Sequence, residues 1–286
     1  MSDNKLKSKL IEWKENDWNI PKEVNKYQLS LELMENLKST DPVLRDKLSY
    51  SFLWTIISEK KLSQSEARNL LKLALSQEHL FHKLGTKEDD SVFNRAFSVL
   101  IIAELIEYHN NMLVKDGQAI LSKTEIVQAF NKVLEYLNKE RDVRGYVNEK
   151  GWADSVCHTG DALASLAQCV ELDKEHMIDI LKGIKEKVSI SYYAYNNEED
   201  ERLTTAIMKI INRDDIKDED IIEWIRSFNH IEQPKNYPNY IYFRQNVKNF
   251  LRSVYFRFKV KGVNSEILNE IEKVLNKINE RYNQYN

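Results

Sequence analysis

Three side chains near the middle of the chain have the types and spacing to do chemistry. Asp154, His158 and Asp161, in the run GWADSVCHTGD (Gly151 to Asp161), lie four and three positions apart. At about 100° per helical residue, His158 falls about 40°, Asp161 about −20° and Ser165 about 20° from Asp154. One helix face would therefore carry an imidazole between two carboxylates. Val156, Leu163, Leu166 and Val170 fall on the other half, which gives the same segment a packing side. Carboxylate oxygen and imidazole nitrogen one turn apart can converge on a divalent metal, with Asp154, His158 and Asp161 as its ligands. Alternatively, His158 serves as a catalytic proton-transfer group and Asp161 orients it. The same residues would also make an ordinary solvated helix face with a local Asp–His hydrogen bond.

Other charged groups stand where such a helix could meet them. RDVRGY (Arg141 to Tyr146) precedes it in a loop and supplies Asp142 and Arg144. Asp89, Asp90 and Arg95 sit at another helix start, in DDSVFNRAF, and EDER (Glu199 to Arg202) opens a third. Helix N-termini gathered on one concave surface would meet an anionic or sugar-like ligand. Otherwise the acids cap their own helices and the arginines bridge neighbouring turns. Trp152 is expected as a core anchor, Cys157 as a small buried residue, and His79 with His82 as a surface pair near a helix end. There is no Gly-x-Ser-x-Gly elbow, phosphate-binding glycine loop, dinucleotide fingerprint or zinc-type cysteine pair, so no cofactor is identified.

The elements that must position these residues are helices. Only 7 Gly and 4 Pro punctuate 286 residues, which favours long helices over a many-turned β protein. Leu44, Leu48, Phe52 and Ile56 recur at four-residue spacing, after the helix start Asp41-Pro42. Ser63 with Glu66 has the spacing of a capping box. The apolar run from Phe97 to Leu105 is interrupted by Glu104. A central helix is expected from about Gly151 to Leu172, followed by Glu175 to Val188, Asp200 to Ile211, Asp218 to Phe228, Tyr242 to Phe258 and Ser265 to Tyr282. About twelve helices in antiparallel pairs result. The expected fold is all-α: an α-α superhelix, or a helical array curved into a partial ring, forming one domain over residues 1–286, since no linker stands out.

Composition limits the partners. Apolar residues at 42 % can build a large core, and charged residues at 30 % suit solvated helix faces. A net charge of −3 gives no electrostatic reason to expect nucleic acid or a membrane surface. In the basic, aromatic stretch YFRQNVKNFLRSVYFRFKVKG, the spacing assigns Phe243, Val247, Phe250, Leu251 and Val254 to the core. The polar start lacks a signal-type apolar run, and no segment approaches about 18 uninterrupted apolar residues. Two cysteines, Cys157 and Cys169, make no disulfide framework, so the expected compartment is the cytoplasm.

In DSVFNRAFS (Asp90 to Ser98), RDVRGYVNEKGWADSVCHTGDAL (Arg141 to Leu163), EDERL (Glu199 to Leu203) and NVKNFLRSVYF (Asn246 to Phe256), the chain resembles the bacterial family known as domain of unknown function 2785. The resemblance spans most of the chain in the expected order and is most specific in its middle block. It implies a helical cytoplasmic protein with no established activity. It also implies that Arg95, Asp142, Arg144, Lys150, Trp152, His158, Asp161 and Arg202 fall on family-pattern positions. The family pattern, His-x3-His-x2-Asp, has histidine where this chain has Asp154. The preferred expectation is a polar concave pocket lined by Arg95, Asp142, Arg144, Asp154, His158 and Asp161, binding a small polar ligand or a protein segment. A hydrolase of a polar or phosphorylated substrate, using His158 and Asp161 with Arg95 and Arg144 on anionic groups, is the second expectation. A protein-interaction scaffold is the third.

Overall fold

A computed structural model describes residues 3–283. The fold is all-α, with one two-residue hairpin. In chain order come α1 (Asp3–Glu15), α2 (Lys26–Asn36), a π-helical segment (Val43–Tyr50) that runs into α3 (Ser51–Ser58), α4 (Gln64–Ala74), α5 (Ser91–Asp116) and α6 (Lys123–Lys139). The hairpin β1 (Tyr146–Val147) and β2 (Gly151–Trp152) leads to α7 (Ser155–Leu166). Then follow α8 (Lys174–Val188), α9 (Glu199–Ile210), α10 (Asp218–Arg226), a 3-10 turn (Ser227–His230), α11 (Asn239–Lys261), α12 (Ser265–Ile278) and α13 (Glu280–Asn283).

Local chemistry sets many of the helix starts. Ser63 with Glu66 and Ser122 with Glu125 form reciprocal capping boxes at α4 and α6, each satisfying two N–H groups that the first turn leaves free. Asp41 accepts from the N–H groups of Val43 and Leu44, as the Asp-Pro signal implies. The central helix is shorter than its periodicity suggested. Gly151 takes a φ of +77°, and a Cβ there would stand 2.8 Å from the Cβ of Pro42, so the chain turns as a hairpin before α7 begins. At the other end α7 stops at Leu166, which leaves Val170 beyond the helix and exposed, not on the packing face.

α7 is the middle of the molecule. It packs between α5 and α9, α9 packs on α11, and α5 on α3 and α4. Phe97, Ile101, Ile102, Leu105 and Ile106 of α5 are buried in the core, as are Val156, Leu163 and Leu166 of α7. Each such side chain contributes about 1.5–3 kcal/mol of burial. At Gly160 an added Cβ would lie 3.0 Å from the backbone carbonyl of Arg202, so α7 and α9 meet almost backbone to backbone. The residues of α11 assigned to the core, Phe243, Val247, Phe250, Leu251 and Val254, are buried. His79 is buried too, its Nδ1 3.5 Å from the Ser98 hydroxyl, which corrects the expectation of a surface pair. Among the described residues no helix is long and apolar enough to cross a membrane.

Candidate functional site

The polar stripe of α7 forms one wall of a cavity of about 440 Å³. Asp154, His158, Asp161 and Ser165 all line it, as one helical face requires. The facing wall is α5, through Phe97, Glu104 and Glu107. The π-helical segment adds Asp46 and Tyr50, the hairpin adds Trp152, and α9 adds Arg202 and Lys209. Asp154 begins α7 in the left-handed region, at φ 52° and ψ 33°, and its side chain does not cap the helix. Aspartate tolerates this region better than most residues, and several other non-glycine residues of the chain, such as Lys60 and Glu149, also adopt positive φ.

His158 is the unusual group. It is 8 % exposed, and neither ring nitrogen has a hydrogen-bond partner among the described residues. Its Nδ1 is 3.7 Å from Asp161 Oδ2, beyond hydrogen-bond length. Asp161 instead pairs with Arg202, whose Nη2 is 3.1 Å away. The ring of Phe97 meets the imidazole edge to face at 5.4 Å and fixes its plane. One oxygen of Asp154, Oδ1, is also buried without a partner. Burial pushes the Asp154 carboxyl above its ordinary value. It does the same to Glu104, where like charge from Asp161 and Glu107 adds to the effect. Tyr50 donates to Glu104 Oε1 at 2.8 Å, and burial beside that carboxylate raises the phenol so that it stays a donor.

The remaining expected site residues lie elsewhere. Arg95 is fully buried and absent from the cavity wall; its Nε and Nη2 donate to the two oxygens of Glu140 at 2.6 and 2.9 Å. Asp142 is buried and takes both donors of Arg144, at 2.7 and 2.6 Å. Lys150 pairs with Asp90 at 2.7 Å. Arg95, Asp142 and Arg144 are joined through Glu140 and the Asp89 backbone, while Lys150 and Asp90 form a separate half-exposed pair, so the expected pocket divides into a buried network and an open cavity. Of the expected pocket residues, Asp154, His158 and Asp161 line the cavity, as does Arg202 of the family-pattern positions.

The model of the family described as "Protein of unknown function (DUF2785)" matches residues 80–256. The chain belongs to this family. No curated protein and no solved structure matches it. The family segment contains α5, α7 and α9, and so most of the cavity; Asp46 and Tyr50 come from outside it.

Several lining residues were not singled out from this DUF2785 sequence. Glu104 was visible as the one acid inside the apolar run of α5. Asp46 and Tyr50 carried no signal, because they lie off the Leu44–Leu48–Phe52–Ile56 stripe and meet α7 only through the packing of distant elements. Trp152 is not a core anchor: it is 43 % exposed and stands at the cavity. It is held there by Arg45, a fully buried guanidinium that donates to the carbonyls of Lys150 and Trp152 at 2.5 and 3.2 Å. Cys157 is buried as expected, and burial raises its thiol far from the range of a reactive thiolate. Among the described residues no three His, Cys, Asp or Glu side chains are grouped as a metal ion needs. In the expected set of Asp154, His158 and Asp161, one Asp161 oxygen, Oδ2, lies 3.1 Å from Arg202 and 3.7 Å from the imidazole Nδ1.

Proposed function

We propose that this DUF2785 protein binds a small polar ligand in the cavity around His158. One observation carries the reading: an imidazole nine-tenths buried in a lined cavity with both nitrogens unpartnered. Buried polar groups are almost always satisfied, and leaving one bare costs about 1–3 kcal/mol. A ligand with a donor or acceptor at the cavity floor recovers that cost. The volume is within the range of small-molecule sites. Two buried, unpaired cysteines suit a reducing compartment, and we place the protein in the cytoplasm.

The hydrolase reading draws on the same imidazole, which can take a proton from a bound nucleophile. It requires Asp161 to leave Arg202 and close the 3.7 Å gap to Nδ1. A phosphorylated substrate is disfavoured, because five carboxylates line the cavity against two cationic side chains.

Thermal-shift screening of small polar compounds on the full chain and on His158→Ala tests the binding reading. A compound class that raises the melting temperature of the wild type and not of the variant is expected. If every compound shifts both proteins alike, the cavity is not the site.

A further inference from the structure

We propose that the ligand of this cavity is an organic cation, carrying an ammonium or guanidinium group. The inference rests on the binding reading above and adds the class of ligand.

The charge inventory of the wall carries it. Asp46, Glu104, Glu107, Asp154 and Asp161 face Arg202 and Lys209 across the cavity. Arg202 is spent on Asp161. Lys209 donates to Gln168 Oε1 at 3.1 Å, not to a carboxylate. Asp46, Glu104, Glu107 and Asp154 are therefore left with no cationic side chain within ion-pair distance among the described residues. Among the described residues Glu104 bonds only the Tyr50 hydroxyl, Glu107 only the amide of Asn111 at 3.2 Å, and Asp154 Oδ1 has no partner.

Partly desolvated carboxylates without a countercharge are unfavourable, and a bound cation would offset that cost. His158 provides the second, independent pointer. Its buried, unpartnered ring leaves two nitrogens to hydrogen-bond with polar groups of the same ligand. The rim fits the same charge. Trp152 lines the cavity with an exposed indole, and Tyr146 meets that ring edge to face at 5.0 Å, which fixes its orientation. An aromatic face beside carboxylates favours organic cations over anions and neutral polyols.

The space suits an extended molecule. A second cleft, lined by Cys157, Asn197 and Glu198, shares Trp152, Asp154 and Arg202 with the central cavity. A third, lined by Asn212 and Arg213, shares Gln168 and Lys209 with it. The three clefts follow α7 from its N-cap Asp154 to Gln168 just past its end, and the 12-residue helix between spans about 18 Å at 1.5 Å per residue. An aliphatic chain could extend from the central charge in either direction.

The test is calorimetric titration of the full chain with spermidine and with agmatine, alongside glucose, glycerol 3-phosphate and magnesium chloride. The His158 ring resonances are followed by NMR in the same series. Saturable binding of one or both amines is expected, with movement of the His158 signals and weakening at higher salt. Glu104→Gln, which keeps an acceptor for Tyr50, and Asp154→Asn should each weaken that binding roughly tenfold. Glu175→Gln, at an exposed acid away from the cavity, should leave it unchanged. Amines that bind all three variants alike would overturn the proposal, as would magnesium that reproduces the His158 shifts. Glucose or glycerol 3-phosphate moving the His158 signals where the amines do not would sink the cation and leave the binding reading intact. If nothing in the series moves those signals, both fall.

Discussion

Arg95 and His158 are both more than nine-tenths buried on neighbouring helices, and they are treated in opposite ways. The Arg95 guanidinium is matched on every side: two bonds to Glu140, one to the Ser91 hydroxyl at 2.7 Å and one to the His82 carbonyl at 2.9 Å. Glu140 is shared further, taking the N–H groups of Arg141 and Asp142, each at 2.9 Å. The His158 ring has no such bond. The first cluster ties α5 to the loop after α6 and closes on itself. The second stays unpartnered among the described residues, at the wall of a cavity. A saturated buried group ties the fold together, whereas an unsatisfied one carries an uncompensated desolvation cost, and the proposed ligand site rests on that difference.

Single-partner deletions test the difference most strongly. Arg95→Ala strands a buried Glu140 carboxylate and should cost about 3–5 kcal/mol, read from urea unfolding midpoints. His158→Ala removes a ring that bonds to nothing, so only its packing against Phe97 is lost. It should cost about 1 kcal/mol. Equal losses in the two variants would erase the distinction between network and site.

Helical periodicity is local, and it placed Asp154, His158, Asp161 and Ser165 on one face because nothing distant has to be known for that. The roles of Arg95 and Trp152 depend on distant partners. Arg95 pairs with a glutamate 45 positions away, and Trp152 is turned outward by Arg45, 107 positions away. A charged residue at a helix start reads the same in sequence whether its partner is a ligand or a side chain across the fold. For that reason Arg95, Asp142, Arg144 and Lys150 looked like site residues. The all-α class was legible because scarce Gly and Pro and intact capping boxes are compositional and short-range. The long-range packing that brings Asp46 and Tyr50 to the cavity was not.

Lys187 sharpens the comparison from the closed side. It is 5 % exposed, and its ammonium donates to the Glu140 carbonyl at 3.0 Å. Burial pulls its pKa down to about 8. Between that value and the ordinary lysine value the unfolded chain binds the extra proton and the folded chain does not. Stability from this group is therefore present above the unfolded value and is lost as pH falls through about 8. Charged Lys187 below that pH costs about 3 kcal/mol. Lys187→Met should lack this dependence: its stability relative to wild type should decline by about 3 kcal/mol between pH 7 and pH 10.5. A constant difference across that range would place the ammonium in water and weaken the claim that the network is closed.

Asp154→Gly probes the open side with the smallest expected effect and the most informative sign. The substitution relieves a left-handed backbone and removes a desolvated carboxylate, against the added freedom of glycine in the unfolded chain. We expect a net gain of about 1 kcal/mol at neutral pH, together with weaker amine binding. The gain should shrink in acid. Burial raises the Asp154 carboxyl, so its contribution to stability is fully present below the ordinary carboxylate range and is lost as pH rises through its elevated value. Removing the carboxylate therefore helps most where it would be ionised. Chemical denaturation at pH 4 and pH 7 measures both quantities. A variant less stable than wild type at both pH values would make Asp154 a structural group of the Arg95 kind, held in place for the fold. A stabilised variant that no longer binds amines would mean the chain maintains a strained, unpaired carboxylate for its ligand.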